Sequence, residues 1–252
     1  MRTCDLNEQP DPVKEQEMGR PFERTEMLFG REAMDKLAGS RVAVFGVGGV
    51  GGFVVEGLAR SGVGALDLVD HDTVDITNIN RQIIATTDTV GECKVEAAAQ
   101  RIRSINPDCV VKTYQIFYLP ETKDQFDFSE YDYVVDAVDT VKAKITLIEA
   151  AKEAGTPIIS AMGAGNKVDP TAFRVADIYE TSVCPLAKVV RKECRSRGID
   201  SLKVVYSTEE PVSVTQVQEP VHGKRAPGSN AFTPSVMGLI IAGEVVKDLI
   251  ER

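Results

Sequence analysis

The segment Val42-Ala43-Val44-Phe45-Gly46-Val47-Gly48-Gly49-Val50-Gly51-Gly52 runs from a short apolar strand pattern straight into clustered glycines. With no β-carbon in the way, such a turn lets a phosphate reach bare backbone N–H groups at the start of the helix that follows. Gly46, Gly48, Gly49 and Gly51 are the candidate phosphate positions. Asp70 closes the next apolar run, Leu66–Val69, at the spacing of about twenty residues expected for a carboxylate that hydrogen-bonds a ribose. The polar run Asn78-Ile79-Asn80-Arg81-Gln82 then stands where an NAD-binding chain would normally enter its helix, and it favours an ATP user. Arg81 and Lys94 would offer two cations to a triphosphate and neutralise charge as pyrophosphate leaves. No G-x-x-x-x-G-K-[ST] segment occurs, so ATP would be bound in the dinucleotide manner. Asp136 and Asp139 follow a further apolar strand, and either could hold Mg²⁺ on the phosphates; Asp139 could equally cap a helix beginning near Thr140.

Those residues need a scaffold that brings strand ends together. Period-two apolar runs predict strands at Arg41–Gly46, Ala65–Asp70, Cys109–Gln115, Tyr131–Val138 and Pro157–Ser160. Helical periodicity falls between them at Val50–Ser61, Glu92–Asn106 and Thr140–Ala154. This alternation predicts an α/β, Rossmann-like, doubly wound and mainly parallel sheet in a single domain. Beyond Ala161, strands at Phe173–Ile178 and Leu202–Tyr206 flank a helix at Pro185–Arg197, and these strands are expected to extend the sheet in antiparallel fashion. Residues 1–20 are expected to be flexible, 215–230 to form an exposed loop, and 233–250 to form a packed C-terminal helix. Before the first strand, Glu26–Leu37 reads as one helix with Met27, Leu28, Met34 and Leu37 buried.

Composition narrows the class. With 252 residues and 43% apolar content the chain can bury a substantial core. Its five cysteines are scattered, with no C-x-x-C pair, which disfavours a disulfide framework or a cysteine zinc site and suggests a cytoplasmic protein. No apolar leader or run of about eighteen apolar residues is present, so membrane insertion is not expected. A net charge of -9 means that any nucleic acid must meet a local basic surface. The helix at Pro185–Arg197 offers one: Lys188, Arg191, Lys192 and Arg195 recur at helical spacing, with Leu186, Val189, Val190 and Cys194 assigned to the opposite, buried face. The competing reading is an ordinary solvated helix face. Lys224 and Arg225 form a second basic patch in the long loop.

Taken together, Gly46–Gly51, Asp70-His71-Asp72, Asn78–Gln82, Lys94-Val-Glu96 and Asp136-Ala-Val-Asp139 resemble the ThiF, MoeB and ubiquitin-activating superfamily of adenylating enzymes, and Arg24 in Phe22-Glu-Arg-Thr also fits. The resemblance implies ATP and Mg²⁺ as cofactors, acyl-adenylate chemistry and a homodimer. It further implies that Asp70 binds ribose with Asp72 beside it, that Asn78, Arg81 and Lys94 contact phosphates, that Asp139 holds Mg²⁺, and that Arg24 reaches in from the partner protomer. MoeB and ThiF themselves are similar to each other in carrying zinc cysteine pairs, which this chain lacks. Its second half, with Gly163–Thr171, Val175–Thr181, Pro185–Arg191, Val204–Glu209, Gly223–Ser229 and Phe232–Gly238, resembles instead the branch that dehydrates threonylcarbamoyladenosine in tRNA. Cys184 departs from the acidic residue expected there before Pro185.

The implied reaction activates the carboxylate of the modified nucleoside and closes its ring with the modification's own carbamoyl group. An internal nucleophile makes a protein nucleophile unnecessary, so Cys184 and Cys194 are not assigned as catalytic, and His71 and His222 are left unassigned. The alternatives are activation of a ubiquitin-like sulfur carrier, a non-catalytic scaffold for sulfur transfer, and an NAD-linked oxidoreductase. A monovalent cation and a cysteine desulfurase or sulfur acceptor are further candidate ligands and partners that no motif places.

Overall fold

The computed structural model describes residues 20–213 and 227–251. Alternation within strands sets up two core layers. In β1 (Arg41–Phe45), Val42 and Val44 enter one apolar cluster, while Ala43 and Phe45 enter another on the opposite face of the sheet. Both faces are covered, as a parallel sheet requires. The strands β2 (Ala65–Val69), β3 (Val110–Tyr114), β4 (Tyr133–Asp136), β5 (Ile158–Ala161), β6 (Phe173–Asp177) and β7 (Lys203–Ser207) join β1 in the order β3-β2-β1-β4-β5-β7-β6.

Ahead of β1 lie α1 (Glu23–Phe29) and α2 (Arg31–Gly39); the later helices are α3 (Gly51–Arg60), α4 (Lys94–Ile105), α5 (Val141–Ala154), α6 (Pro185–Ser196) and α7 (Thr233–Ile250). Residues from α2, α3, α4 and α7 fill the first cluster, and those from α5 and α6 the second, which is finished by Phe45, Tyr118, Phe126 and Phe128 in edge-on and stacked contact. Helix α7 lies close against α3 because each helix turns a glycine toward the other. A β-carbon on Gly57 would lie 2.6 Å from Ala242 Cβ, and one on Gly238 would lie 2.4 Å from the Val50 carbonyl oxygen.

The doubly wound α/β sheet agrees with expectation, with two corrections of detail. Only β6 runs antiparallel; β7 pairs in parallel with β5. The expected single helix Glu26–Leu37 is two helices, broken at Gly30, whose φ of 83° a residue with a β-carbon rarely adopts. The break turns Met27 and Leu28 outward, each 80% exposed, while Leu37 is buried and Met34 half-buried. The expected N-terminal segment 1–20 and loop 215–230 fall mostly outside the described residues. Among the described residues, no helix is long and apolar enough to cross a membrane.

Candidate nucleotide-binding site

Strand order reverses between β1 and β4, so the loops leaving their carboxyl ends diverge to opposite faces and open a crevice. The glycine loop is held there by close backbone packing. Gly46 has φ +88°, and a β-carbon on it would lie 2.6 Å from the Ala137 carbonyl oxygen; one on Gly51 would lie 1.7 Å from the Gly46 carbonyl oxygen. These two glycines therefore permit chain to pass against chain. The point where a β-carbon of Gly49 would stand is roofed by Pro234 at 3.3 Å and Arg81 Cγ at 3.5 Å. Above Gly48 there is open space, with Gln82 Nε2 alone among described atoms coming within 4 Å, at 3.9 Å. Of the four predicted phosphate positions, Gly48 is the one that leaves room for a ligand.

Asp70 ends β2 beside this loop. Its Oδ2 accepts the Val47 N–H at 2.7 Å and its Oδ1 the Asp72 N–H at 2.9 Å, so the half-buried carboxylate is fixed in orientation against the glycine turn. Lys94, the first residue of α4, is only 6% exposed; its Nζ donates to Asp72 Oδ2 at 2.6 Å and its N–H to the Asp72 carbonyl at 3.1 Å. A lysine at a helix N-terminus works against the helix dipole, and Asp72 offsets that repulsion. Arg81 lies half-buried and donates through Nη1 to the Thr77 carbonyl and to Asn80 Oδ1, each at 2.9 Å. Buried Asn78 accepts the Asp75 N–H at 3.2 Å and thereby shapes the turn that carries Arg81, which leaves its amide hydrogens to serve an anionic ligand.

The two carboxylates at and beyond the end of β4 separate clearly. Asp136 is buried, with Lys144 Nζ at 3.0 Å from both of its oxygens and Ser160 Oγ also donating to it. Asp139 is exposed and accepts from Thr140 Oγ1 at 3.2 Å. The N-cap of α5 is Thr140 and makes no side-chain cap bond, so Asp139 does not cap that helix and is the carboxylate open to a metal. Asp70, His71 and Asp72 also gather three potential metal ligands. Both oxygens of Asp70 already accept N–H groups, and Asp72 holds Lys94 and His71, the latter at 3.1 Å.

Arg24 is not brought to this crevice within the chain. It is exposed on α1, whose neighbour Phe22 packs near Gly62, at the far end of α3 from the glycine loop. On α6, Lys188, Lys192 and Arg195 are exposed, with the Arg195 guanidinium 5.5 Å from the centre of the Tyr179 ring. Arg191 is half-buried instead, donating to the Thr181 carbonyl and Oγ1 at 2.7 Å each. Val189, assigned to the buried side, is 44% exposed and belongs to the outer face. Lys224, Arg225 and His222 lie outside the described residues. Burial pushes the Cys109 thiol up to about 11 and raises that of Cys194, so neither presents a ready thiolate; Cys184 is buried.

Three contributors were not assigned from sequence. Gln82 sits over Gly48, Lys144 pairs with Asp136, and the first turn of α7 brings Pro234 against Gly49. Ser229, just before that helix, accepts from Asn80 Nδ2 at 3.1 Å and so ties the Arg81 turn to the segment entering α7. The Asn-Arg-Gln run was a usable signal for Gln82. No local pattern marks the other two: Lys144 folds back onto Asp136 from eight residues on, and Pro234 is far from Gly49 in sequence.

The chain matches the ThiF family over residues 22–252. It is 48% identical over 240 residues to the tRNA threonylcarbamoyladenosine dehydratase of Bacillus subtilis (strain 168), an alignment covering 91% of this chain and 94% of that one. Among solved structures, it is similar to Escherichia coli tRNA N6-threonylcarbamoyladenosine dehydratase, TcdA, in complex with ATP, with a TM-score of 0.83, 33% identity and 96% of each chain covered. The complex of the same E. coli protein with AMP gives a TM-score of 0.84 at 32% identity, again over 96% of each chain.

Proposed function

The chain belongs to the ThiF family, and from its 48% identity to a tRNA threonylcarbamoyladenosine dehydratase over most of both chains we propose that it is an ATP-dependent tRNA threonylcarbamoyladenosine dehydratase. The site observation that carries its adenylating chemistry is Asp70 and Arg81 held against one glycine loop, with Lys94 tied to Asp72 on the turn after Asp70 and Asp139 three residues past the end of β4. An oxygen of the nucleoside's threonyl carboxylate attacks the α-phosphorus of ATP, the bond to the β-phosphate oxygen breaks, and pyrophosphate leaves. The carbamoyl group then attacks the acyl carbon and gives up a proton, and AMP departs with the former carboxylate oxygen. The nucleoside has lost one water.

In this reading Asp70 orients the ribose, and Arg81 and Lys94 stabilise the charge that grows on the departing pyrophosphate. Lys94 exchanges its bond to Asp72 for a phosphate oxygen, and Asp72 stays at hand to take it back. Asp139 suits Mg²⁺, which needs few protein ligands when phosphates and waters supply the rest and which would neutralise phosphate charge. Ring closure is intramolecular, so orientation replaces a protein nucleophile. The Cys184→Ala and Cys194→Ala variants are accordingly expected to turn over within about threefold of the wild type, a result that a cysteine-linked intermediate would not allow.

The exposed Met27, Leu28 and Phe29 on α1 support a homodimer, which would also give Arg24 a route into the partner's crevice. Lys188, Lys192 and Arg195 form the face offered to tRNA. Double replacement Lys188→Ala/Lys192→Ala should weaken tRNA binding and lower the salt slope of binding by about 2, leaving ATP affinity unchanged. AMP formation tests the reading as a whole. It should require tRNA bearing the modification, and AMP formation driven instead by a ubiquitin-like carrier protein would move the chain to the sulfur-carrier reading.

A further inference from the structure

Lys167 has no part in the nucleotide site, yet its surroundings are unusual for a lysine. It is 3% exposed, and a lysine buried so deeply is ordinarily paired. Its Nζ donates to the Glu209 backbone carbonyl, and that is its sole acceptor among the described residues. The Glu209 carboxylate is turned elsewhere, accepting the N–H groups of Val168 and Asp169 at 3.0 Å each. Lys144 shows what a satisfied buried lysine has instead: both Asp136 oxygens and the Ala161 carbonyl around its three donors. Lys167 keeps two N–H donors and a positive charge without a carboxylate beside it. Burying a cation in that state is costly, and an apolar side chain of similar length would fill the space without that cost.

We propose that Lys167 binds the carboxylate of the acyl substrate, the group that attacks the α-phosphorus in the function proposed above, on which this assignment rests. Placement in the sheet supports it. The parallel strands β2, β1, β4, β5 and β7 bring their carboxyl ends to one edge, with Lys167 in the loop leaving β5 and Glu209 in the segment leaving β7. Asp70 leaves β2, so the ribose carboxylate and Lys167 stand on opposite flanks of the glycine loop. The first turn of α7 joins Lys167 to that loop: the Lys167 carbonyl accepts from Thr233 Oγ1 at 3.4 Å, and the next residue, Pro234, stands over Gly49. A carboxylate entering on the flank that the nucleotide leaves free meets Asp139 and, with ATP bound, a triphosphate. Arg81 and Lys94 are engaged with those phosphates, so a further cation on the entry side offsets the repulsion. One carboxylate oxygen held by Lys167 leaves the other free to attack phosphorus.

The test uses Lys167→Met in the full chain, with tRNA carrying the modification either as the free acid or as its methyl ester, which lacks the charge. Wild type should bind the acid about 10- to 100-fold more tightly than the ester, and the variant should bind the two alike. ATP-induced thermal stabilisation should be the same in both proteins. Without ligand the variant should melt at or above the wild-type temperature, because it loses a buried charge that has no counter-ion. A variant that melts well below wild type would make Lys167 a structural residue and overturn the proposal. A preference for the acid that survives in the variant would overturn it too, while leaving the proposed reaction standing. Wild type that formed no AMP with the acid form would instead remove the substrate reading, and the role of Lys167 with it.

Discussion

Alanine at Arg81 is expected to lower ATP-dependent dehydration by about 10²- to 10³-fold, chiefly in kcat, with the protein still folded. Two features point to a transition-state role. The Arg81 side chain passes over Gly49, and its guanidinium is steadied by the Thr77 carbonyl and Asn80 Oδ1, so it is oriented before any ligand arrives. Pyrophosphate gains charge as the bond to the α-phosphorus breaks, so a fixed cation there stabilises the transition state more than the ground state. Those same bonds are to exposed acceptors, and losing them should cost little stability. Steady-state kinetics with saturating modified tRNA, alongside a melting curve, separates the two effects. A variant that raised KM for ATP while keeping kcat would mean that Arg81 merely binds.

Lys144→Met should produce the largest loss of stability, about 3–5 kcal/mol. Lys144 and Asp136 are both fully buried, at 0% exposure. Besides its two bonds to Asp136, Lys144 donates to the Ala161 carbonyl at 2.7 Å, tying the ends of β4 and β5 together from α5. Methionine would leave the Asp136 carboxylate with the Val138 N–H and the Ser160 hydroxyl as partners, too little for a charge out of water. For a chain of this size the loss corresponds to a fall of roughly 10 °C in melting temperature. Adding Asp136→Asn should recover much of it, because the charge is then gone. A single variant that melted like the wild type would show that the pair carries no such weight. The consequence reaches the site, since Asp136 anchors the turn Ala137–Asp139, against which the glycine loop is packed.

Much of this was legible in the residues, for identifiable reasons. Strands β1 to β5 and their helices announce themselves through local periodicity, and the glycine run and Asp70 through spacing along a single βαβ unit. The break at Gly30 was missed because an apolar residue on the outside of a short helix looks the same in sequence as one on the inside; Met27 and Leu28 face outward. Asp136 and Asp139 could not be told apart until Lys144, eight residues on, was seen to fold back onto the first of them. The same limit applied to Arg191, whose partner Thr181 is ten residues away on the preceding turn. Glycine roles divided only in three dimensions, where Gly46 and Gly51 proved to be points of chain contact and Gly48 an open floor.

The most direct test is mass spectrometry of nucleosides from modified tRNA incubated with the protein, ATP and Mg²⁺. The account predicts that threonylcarbamoyladenosine loses one water, that ATP is required, and that Arg81→Ala slows the change by about 10²- to 10³-fold. An unaltered nucleoside, with wild-type protein that demonstrably binds ATP and the tRNA, would contradict it.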